Sequence, residues 1–337
     1  MGFAFWKSNK FPVEGKTVLL TGASQGMGKE IARLLSARGA NLILVARTVK
    51  NLEASVEHAR AHAKNPSTQR FTYIAADVSS EAENTRILEE ASAWNNGRMP
   101  EIVWTVAGSS IPGLYIETST ETLRRQMELN YFAAAYLAHK TLQAWLYPST
   151  PYSAQEKASG PEPTRQFIFT SSATAFAPCK AALRSLADGL RSEVQIYNAA
   201  RRSKTNTGIQ TAPFDVSIHA IFPGTILSPG FENEEKSKTP RDAGARILRP
   251  QADRICKQPQ QLCRDWKRAI FMTTTNWLIA LLRFGSLGSS QRNNVVIDTL
   301  GAWITAIIWL FMVPDLNSKV WGWGKKNGMP AFRKDAQ

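Results

Sequence analysis

Three glycines near the amino terminus have the spacing of a phosphate-binding turn. Residues 21–28, Thr-Gly-Ala-Ser-Gln-Gly-Met-Gly, follow a short apolar run and precede apolar residues at helical spacing. Glycine lets the backbone turn tightly and approach a ligand, and the start of the next helix attracts negative charge. The turn therefore predicts a pyrophosphate site of a dinucleotide cofactor. The predicted contacts are Gly22, Ser24, Gln25, Gly26, Met27 and Gly28.

The same residues also fit another chemistry. Residues 22–26, Gly-Ala-Ser-Gln-Gly, match the G-x-S-x-G turn that presents the nucleophilic serine of many hydrolases. That turn normally lies mid-chain after several strands, whereas this one follows the first strand. We therefore favour a dinucleotide site over a hydrolase that uses Ser24.

The charge at the end of the second apolar run indicates which dinucleotide binds. Residues 41–46, Asn-Leu-Ile-Leu-Val-Ala, end at Arg47. NAD sites carry an Asp or Glu at about this distance from the glycines, whereas a basic residue can receive the 2′-phosphate of NADP. Arg47 predicts NADPH as the cofactor, and the alternative is an ordinary surface arginine.

A second chemical stretch runs from residue 171 to residue 182. Phe167, Ile168 and Phe169 lead into three hydroxyl side chains that end at Ser172, and a helical run begins near Lys180. This is how a strand delivers polar side chains to its carboxyl edge. The stretch is typical of an active site, but it contains no tyrosine.

Apolar runs and helical patterns alternate along the first two thirds of the chain. The predicted strands are 17–20, 41–46, 71–76, 101–108, 167–172 and 215–222, with long helices over 121–145 and 180–197. This order predicts an α/β fold, a Rossmann-type doubly wound parallel sheet with helices on both faces. Ligands of such sheets bind at the carboxyl ends of the strands.

The strand ends therefore supply further predicted cofactor contacts. Asp77 and Val78 follow the third strand and can meet an adenine ring, while the small residues Ala107 and Gly108 follow the fourth and allow close approach of a ribose. The turn after the sixth strand could close over the nicotinamide, and its residues are Pro223, Gly224 and Thr225. Asn130 lies in an apolar helical setting, where a locally satisfied buried amide is favoured over a placed site residue.

Composition limits the remaining function classes. The 337 residues carry a formal charge of +14, and half of the excess comes from ten Lys or Arg against three Asp between Lys236 and Ile270. No aromatic interleaving or nucleic-acid motif accompanies this segment, so we expect a solvated or membrane-facing segment and no nucleic acid. Three cysteines predict no disulfide framework, and four scattered histidines predict no metal site.

The carboxyl-terminal part is apolar and rich in tryptophan. Residues 299–313 are free of charge, but these fifteen residues fall short of the roughly 20 needed to span a bilayer. We expect an interfacial helix, with a tilted span or a buried helix as alternatives. The predicted division is a Rossmann-type NADP-binding domain over 1–235, a basic polar segment over 236–270 and a membrane-associated tail over 271–337. A homo-oligomer is left open.

In this order, the features resemble the short-chain dehydrogenase/reductase family over residues 12–231. The matching positions are Gly22, Gly26, Gly28, Asp77, Ala107, Gly108, Asn130, Ser172, Lys180, Pro223 and Gly224. Within the family, the chain is most similar to NADPH-dependent enzymes that reduce a long-chain sphingoid ketone. The resemblance implies an oxidoreductase of sphingolipid metabolism at the cytosolic face of the endoplasmic reticulum membrane.

The resemblance also implies catalytic roles for Ser172, Lys180 and Asn130. NADPH supplies hydride to the carbonyl carbon, while a tyrosine phenol protonates the oxygen. Ser172 would bind the carbonyl, and Asn130 would hold a water that relays protons. Lys180 would lower the pKa of the tyrosine and hold the nicotinamide ribose.

The chain departs from the family pattern between serine and lysine. The family places its tyrosine thirteen and its lysine seventeen residues after the serine, whereas Lys180 follows Ser172 by eight. Nine residues, ending in the tyrosine, would thus be missing between Phe176 and Ala177. We interpret Tyr136, four residues before Lys140, as an accidental match. Our hypothesis is a mis-spliced or mis-predicted reductase with impaired activity, and the alternative is an inactive NADP-binding, membrane-associated protein.

Overall fold

The computed structural model describes most of the predicted nucleotide domain and part of the tail. The described residues are 11–111, 115, 118–148, 164–172, 178–200, 212–223, 232, 272–274, 284 and 294–327. The predicted contacts Gly224 and Thr225, the junction of Phe176 with Ala177 and the basic segment 236–270 lie outside them.

Seven parallel strands form one sheet in the order β3-β2-β1-β4-β5-β6-β7. The strands are β1 (Thr17–Thr21), β2 (Asn41–Ala46), β3 (Phe71–Ala75), β4 (Ile102–Thr105), β5 (Thr164–Thr170), β6 (Asp215–Phe222) and β7 (Met272–Thr274). Because β1 pairs with both β2 and β4, the strand order reverses there, and such a reversal opens a crevice at the carboxyl ends. The predicted doubly wound sheet is confirmed.

Helices cover both faces of the sheet. The described helices are α1 (Gly26–Ser36), α2 (Val49–Arg60), α3 (Glu81–Trp94), α4 (Thr120–Met127), α5 (Ala133–Leu146), α6 (Pro178–Ala200) and α7 (Val295–Asn327). Side chains alternate along each strand, so Val18 and Leu20 pack with α1 and α2 while Leu19 packs with α3, α5 and α6. The strands are apolar throughout because both of their faces are buried.

Four features differ from the predicted elements, and the first is the strand β4, which ends at Thr105, three residues before the predicted end at residue 108. The strand β5 begins at Thr164, three residues before the predicted start. The predicted helix over 121–145 contains one π-helical turn, Glu128–Phe132, between α4 and α5. The strand β7 lies in the segment that we assigned to the tail, so the sheet extends beyond residue 235; three residues are too few to show an alternating pattern.

The helix α7 buries polar side chains and exposes apolar ones. Asp298 and Thr305 are buried, and a Cβ on Gly301 would lie 2.9 Å from the Phe284 ring. The large apolar side chains lie on the other face and are exposed: Val295, Val296, Leu300, Trp303, Ile304, Ile307, Leu310 and Phe311. Among the described residues, no helix combines the length and the hydropathy that crossing a membrane requires.

Candidate active site

A cavity of about 580 Å³ lies at the carboxyl ends of the strands where the strand order reverses. Eleven of the predicted cofactor contacts line it: Gly22, Ser24, Gln25, Gly26, Met27, Gly28, Arg47, Asp77, Val78, Ala107 and Gly108. Ser172 and Pro223 directly follow β5 and β6 at the same edge of the sheet but are not among the lining residues. The cavity therefore unites the predicted nucleotide contacts from four separate strand ends.

The glycine turn is shaped for a ligand that approaches the backbone. Gly22 has a φ of 68°, and a Cβ there would lie only 2.6 Å from the Ala107 nitrogen. The helix α1 starts at Gly26, its N-cap residue Gln25 makes no side-chain capping bond, and its first turn carries no acidic residue. The positive end of α1 is thus left for an anion, as a pyrophosphate requires.

Arg47 and Asp77 form an ion pair in the wall of this cavity. Arg47 Nη1 lies 3.8 Å from Asp77 Oδ2, while Asp77 Oδ1 accepts hydrogen bonds from the Ser79 amide and hydroxyl. Desolvation opposes ionisation of Asp77, but the Ser79 bonds and the Arg47 charge outweigh it and hold its pKa below the usual range. Because Arg47 is 71% exposed, this ion pair is weak and its guanidinium remains accessible to a phosphate.

Asn130 is buried in the π-helical turn, and its side chain is satisfied locally. Its Oδ1 accepts from the Ser109 amide at 3.1 Å, and its Nδ2 donates to the Ser109 carbonyl at 2.9 Å. The same Nδ2 lies 3.1 Å from both the backbone oxygen and the Oε1 of Gln126. The residue-based interpretation of Asn130 as a locally satisfied amide is confirmed, and its role in holding a water stays a prediction.

Gly108 brings Asn130 and Lys180 to one point. A Cβ on Gly108 would lie 2.8 Å from Asn130 Oδ1 and 3.2 Å from Lys180 Nζ. Any side chain at this position would fill the space between the two groups. The structure thus assembles two of the three predicted catalytic side chains beside the cavity wall.

Lys180 is held by the end of β5. Its Nζ donates to the Thr170 carbonyl at 3.0 Å, and Ser171 Oγ donates to the Lys180 carbonyl at 2.8 Å. Burial away from water lowers the pKa of Lys180 to about 8. The first turn of α6 is therefore bound directly to the strand end, with only residues 173–177 between Ser172 and Pro178.

The pair Tyr136 and Lys140 lies on α5 and serves other contacts. Tyr136 stacks on Phe132 with ring centroids 5.5 Å apart, and Lys140 Nζ forms a 3.0 Å ion pair with Glu81. These contacts support the interpretation that this Tyr-x-x-x-Lys match is accidental.

Comparison with known proteins assigns the family. The model of the family described as short chain dehydrogenase matches residues 16–158, which end before Ser172 and Lys180. The 3-ketodihydrosphingosine reductase ksrA of Aspergillus fumigatus is 39% identical over 97% of this chain and 89% of its own length. The chain belongs to the short-chain dehydrogenase/reductase family. Members are oxidoreductases, so the hydrolase interpretation of Ser24 is set aside.

Two further relatives extend this comparison. The 3-ketodihydrosphingosine reductase gsl-3 of Neurospora crassa is 40% identical over 97% of this chain and 87% of its own length. The solved L-sorbose reductase of Gluconobacter frateurii, complexed with NADPH and L-sorbose, covers 77% of this chain and 90% of its own, with 22% identity and a TM-score of 0.53. The likeness to this solved structure shows the fold alone.

Sequence reasoning missed several residues that line the cavity. They include Thr48, Asn51, Ser79, Ser109, Ile111, Arg125, Gln126, Glu128 and Leu129. Gln126 precedes Asn130 by four residues, so helical spacing could have placed both on one face. Ser109 carries no such signal, because its position depends on the path of the loop after β4.

Proposed function

We propose that this chain is an NADPH-dependent reductase that converts 3-ketodihydrosphingosine to dihydrosphingosine, with turnover lowered by the missing tyrosine. The similarity of two 3-ketodihydrosphingosine reductases along 97% of the chain carries the proposal. A similarity of this extent includes the segment beyond the predicted nucleotide domain.

The residues around the cavity fit NADPH. The start of α1 would receive the pyrophosphate, Arg47 the 2′-phosphate, and Asp77 with Val78 the adenine. When bound, the cofactor supplies the hydride for the carbonyl carbon. Gly108 would leave room for the nicotinamide ribose beside Lys180.

Protonation of the substrate oxygen would limit the proposed reaction. Ser172 would hydrogen-bond the substrate carbonyl, but a serine hydroxyl is a poor acid. Lys180 would keep positive charge near the oxygen, although its ammonium already donates to the Thr170 carbonyl. Because residues 173–177, between the serine and the helix that carries Lys180, include no tyrosine, we expect slow turnover.

We also propose that α7 docks on the cytosolic face of the endoplasmic reticulum membrane. A helix on a protein surface normally exposes its polar face, whereas α7 buries Asp298 and Thr305 and exposes a row of large apolar side chains. Such an exposed apolar face, together with the basic segment 236–270, is what an anionic bilayer surface attracts. A membrane-bound enzyme could take a long-chain ketone directly from the lipid.

An alternative is a catalytically inactive NADP-binding protein at the membrane. The bond from Lys180 Nζ to the Thr170 carbonyl favours it, because this amine contacts protein where the family's lysine would serve cofactor and tyrosine.

The purified full chain distinguishes these functions. NADPH fluorescence measures cofactor binding, and NADPH consumption with 3-ketodihydrosphingosine measures turnover. We expect binding with slow turnover; binding without any turnover would support the inactive protein, and no binding would reject both. Flotation with liposomes that contain anionic lipid tests docking, with Trp303→Glu as the variant expected to stay unbound.

A further inference from the structure

Gln126 lies one helical turn before Asn130 and lines the cavity, yet none of the predicted roles uses it. Its Oε1 accepts from Asn130 Nδ2 at 3.1 Å, and its Nε2 donates to Ser109 Oγ at 3.5 Å. The side chain thus connects the helix to the first loop residue after Gly108.

These contacts close a ring. The backbone N–H and C=O of Ser109 both bond to the side-chain amide of Asn130. Asn130 Nδ2 donates to Gln126 Oε1, and Gln126 Nε2 donates to the Ser109 hydroxyl. The backbone before it is tied down as well, because the Ala107 amide donates to Thr21 Oγ1 at 3.3 Å. Gly108 therefore lies between one anchor on β1 and another on α4.

The ring contains one more acceptor than Asn130 needs. Asn130 Nδ2 carries two hydrogens, and its acceptors are the Ser109 carbonyl, the Gln126 carbonyl and Gln126 Oε1. Loss of the Gln126 side chain would leave no buried donor of Asn130 unpaired, so it should change stability little. Its distinct contribution is to fix the positions of the loop and the Asn130 amide.

We propose that Gln126 is a positioning residue that fixes the Ser109 loop and the Asn130 amide around Gly108, where the nicotinamide end of the cofactor would lie. The statement about the cofactor rests on the proposed function, whereas the hydrogen bonds that hold the Ser109 loop do not. Loops that carry binding residues need such contacts because their own backbones have few partners.

The test compares Gln126→Met, which keeps the length of the side chain, with Ser109→Ala, which keeps the backbone bonds of Ser109. Hydrogen exchange, measured by mass spectrometry on the protein without cofactor, reports on the peptide that contains Ser109. We expect exchange about 3- to 10-fold faster in Gln126→Met, and a similar loss of NADPH affinity, as for loss of a hydrogen bond. Glu121→Gln on the same helix is the control, because Glu121 contacts the exposed Arg124.

The thermal midpoint separates positioning from a structural role. We expect Gln126→Met to unfold within about 2 °C of the parent, and the double variant Gln126→Met/Ser109→Ala to weaken NADPH binding no more than Gln126→Met alone. Unchanged exchange at Ser109 would overturn the proposal, as would a fall in midpoint that accounts for the faster exchange. If the parent itself binds no NADPH, the proposed function fails. The hydrogen-exchange result still decides whether Gln126 fixes the Ser109 loop.

Discussion

The turn between β1 and α1 and the crossing between β5 and α6 are the same kind of connection, a strand end followed by a helix start at the carboxyl edge of the sheet. In the first, Gly22 and the uncapped start of α1 leave backbone groups facing the cavity. In the second, Lys180 and Ser171 bond to backbone carbonyls of the junction itself. One connection presents its polar groups to a ligand, and the other uses them to join its own two elements.

The difference shows what loop length contributes to an active site. The nucleotide turn needs little more than backbone, so a short glycine-rich connection suffices. In the proposed reductase the crossing between β5 and α6 would have to place an acid over the substrate, and the five residues between Ser172 and Pro178 include no tyrosine. On the proposed function, this chain would keep its cofactor site while its proton donor is lost.

Restoring the missing residues should have the largest effect. We expect a nine-residue insert that ends in tyrosine, placed between Phe176 and Ala177, to raise reductase turnover by roughly 100- to 10,000-fold, the contribution of a general acid. NADPH consumption with 3-ketodihydrosphingosine measures it. The same insert ending in phenylalanine is the control, and equal rates for both inserts would show that the phenol is not what the chain lacks.

The next largest effect should come from adding a side chain at Gly22, in the turn between β1 and α1, which should lower the stability of the fold. Gly22→Ala combines a φ of 68° with a Cβ 2.6 Å from the Ala107 nitrogen, so we expect a loss of about 2–5 kcal/mol in unfolding free energy. Urea denaturation measures it. Gly97 has a φ of 77° but open space around a Cβ, so Gly97→Ala should lose only about 1–2 kcal/mol. Equal losses would mean that the close approach to Ala107 is unimportant.

The relative affinities for NADPH and NADH test the proposed role of Arg47. Arg47→Leu should weaken NADPH binding about 10- to 100-fold and leave NADH binding unchanged, because only NADPH offers a 2′-phosphate for a charged hydrogen bond. Fluorescence titration with each cofactor measures both affinities. Arg60→Leu, whose parent side chain pairs with Glu57 on the outer end of α2, is the control. Equal weakening of both cofactors would contradict the assignment of Arg47.

Removing the buried charge of Lys180 should raise the unfolding free energy, by less than Gly22→Ala lowers it. The pKa of Lys180 is lowered to about 8, so its ammonium is disfavoured in the folded state at neutral pH. Lys180→Met should raise the unfolding free energy at pH 7 by about 1–2 kcal/mol, after loss of the bond to the Thr170 carbonyl is included. This advantage should shrink as pH rises from about 8 towards the ordinary lysine value, because the unfolded chain binds the extra proton there.

Denaturation of parent and variant across this pH range measures that difference. Lys140→Met removes another lysine charge, one paired with Glu81, and serves as the control. A constant difference between parent and Lys180→Met from pH 7 to pH 10 would show that Lys180 is not held in the disfavoured charged form.

The sequence by itself determined the sheet and predicted eleven of the residues that line the cavity at its edge. Short apolar runs are typical of strands that are buried on both faces, and the predicted bounds of β2 and β6 agree with the structure. Residues at strand ends must share one edge of a parallel sheet, so Arg47 and Asp77 could be placed together without coordinates. The short spacing between Ser172 and Lys180 was likewise visible from the chain alone.

Only the tertiary structure decided how the catalytic side is bonded. Ser109 meets Gln126 and Asn130 because the loop after β4 comes together with α4 and the π-helical turn, and no local pattern encodes that contact. The attachment of Lys180 to the Thr170 carbonyl depends on how closely α6 approaches β5. Strand and turn positions follow from local chemistry along the chain, whereas these hydrogen bonds depend on distances between elements that packing alone sets.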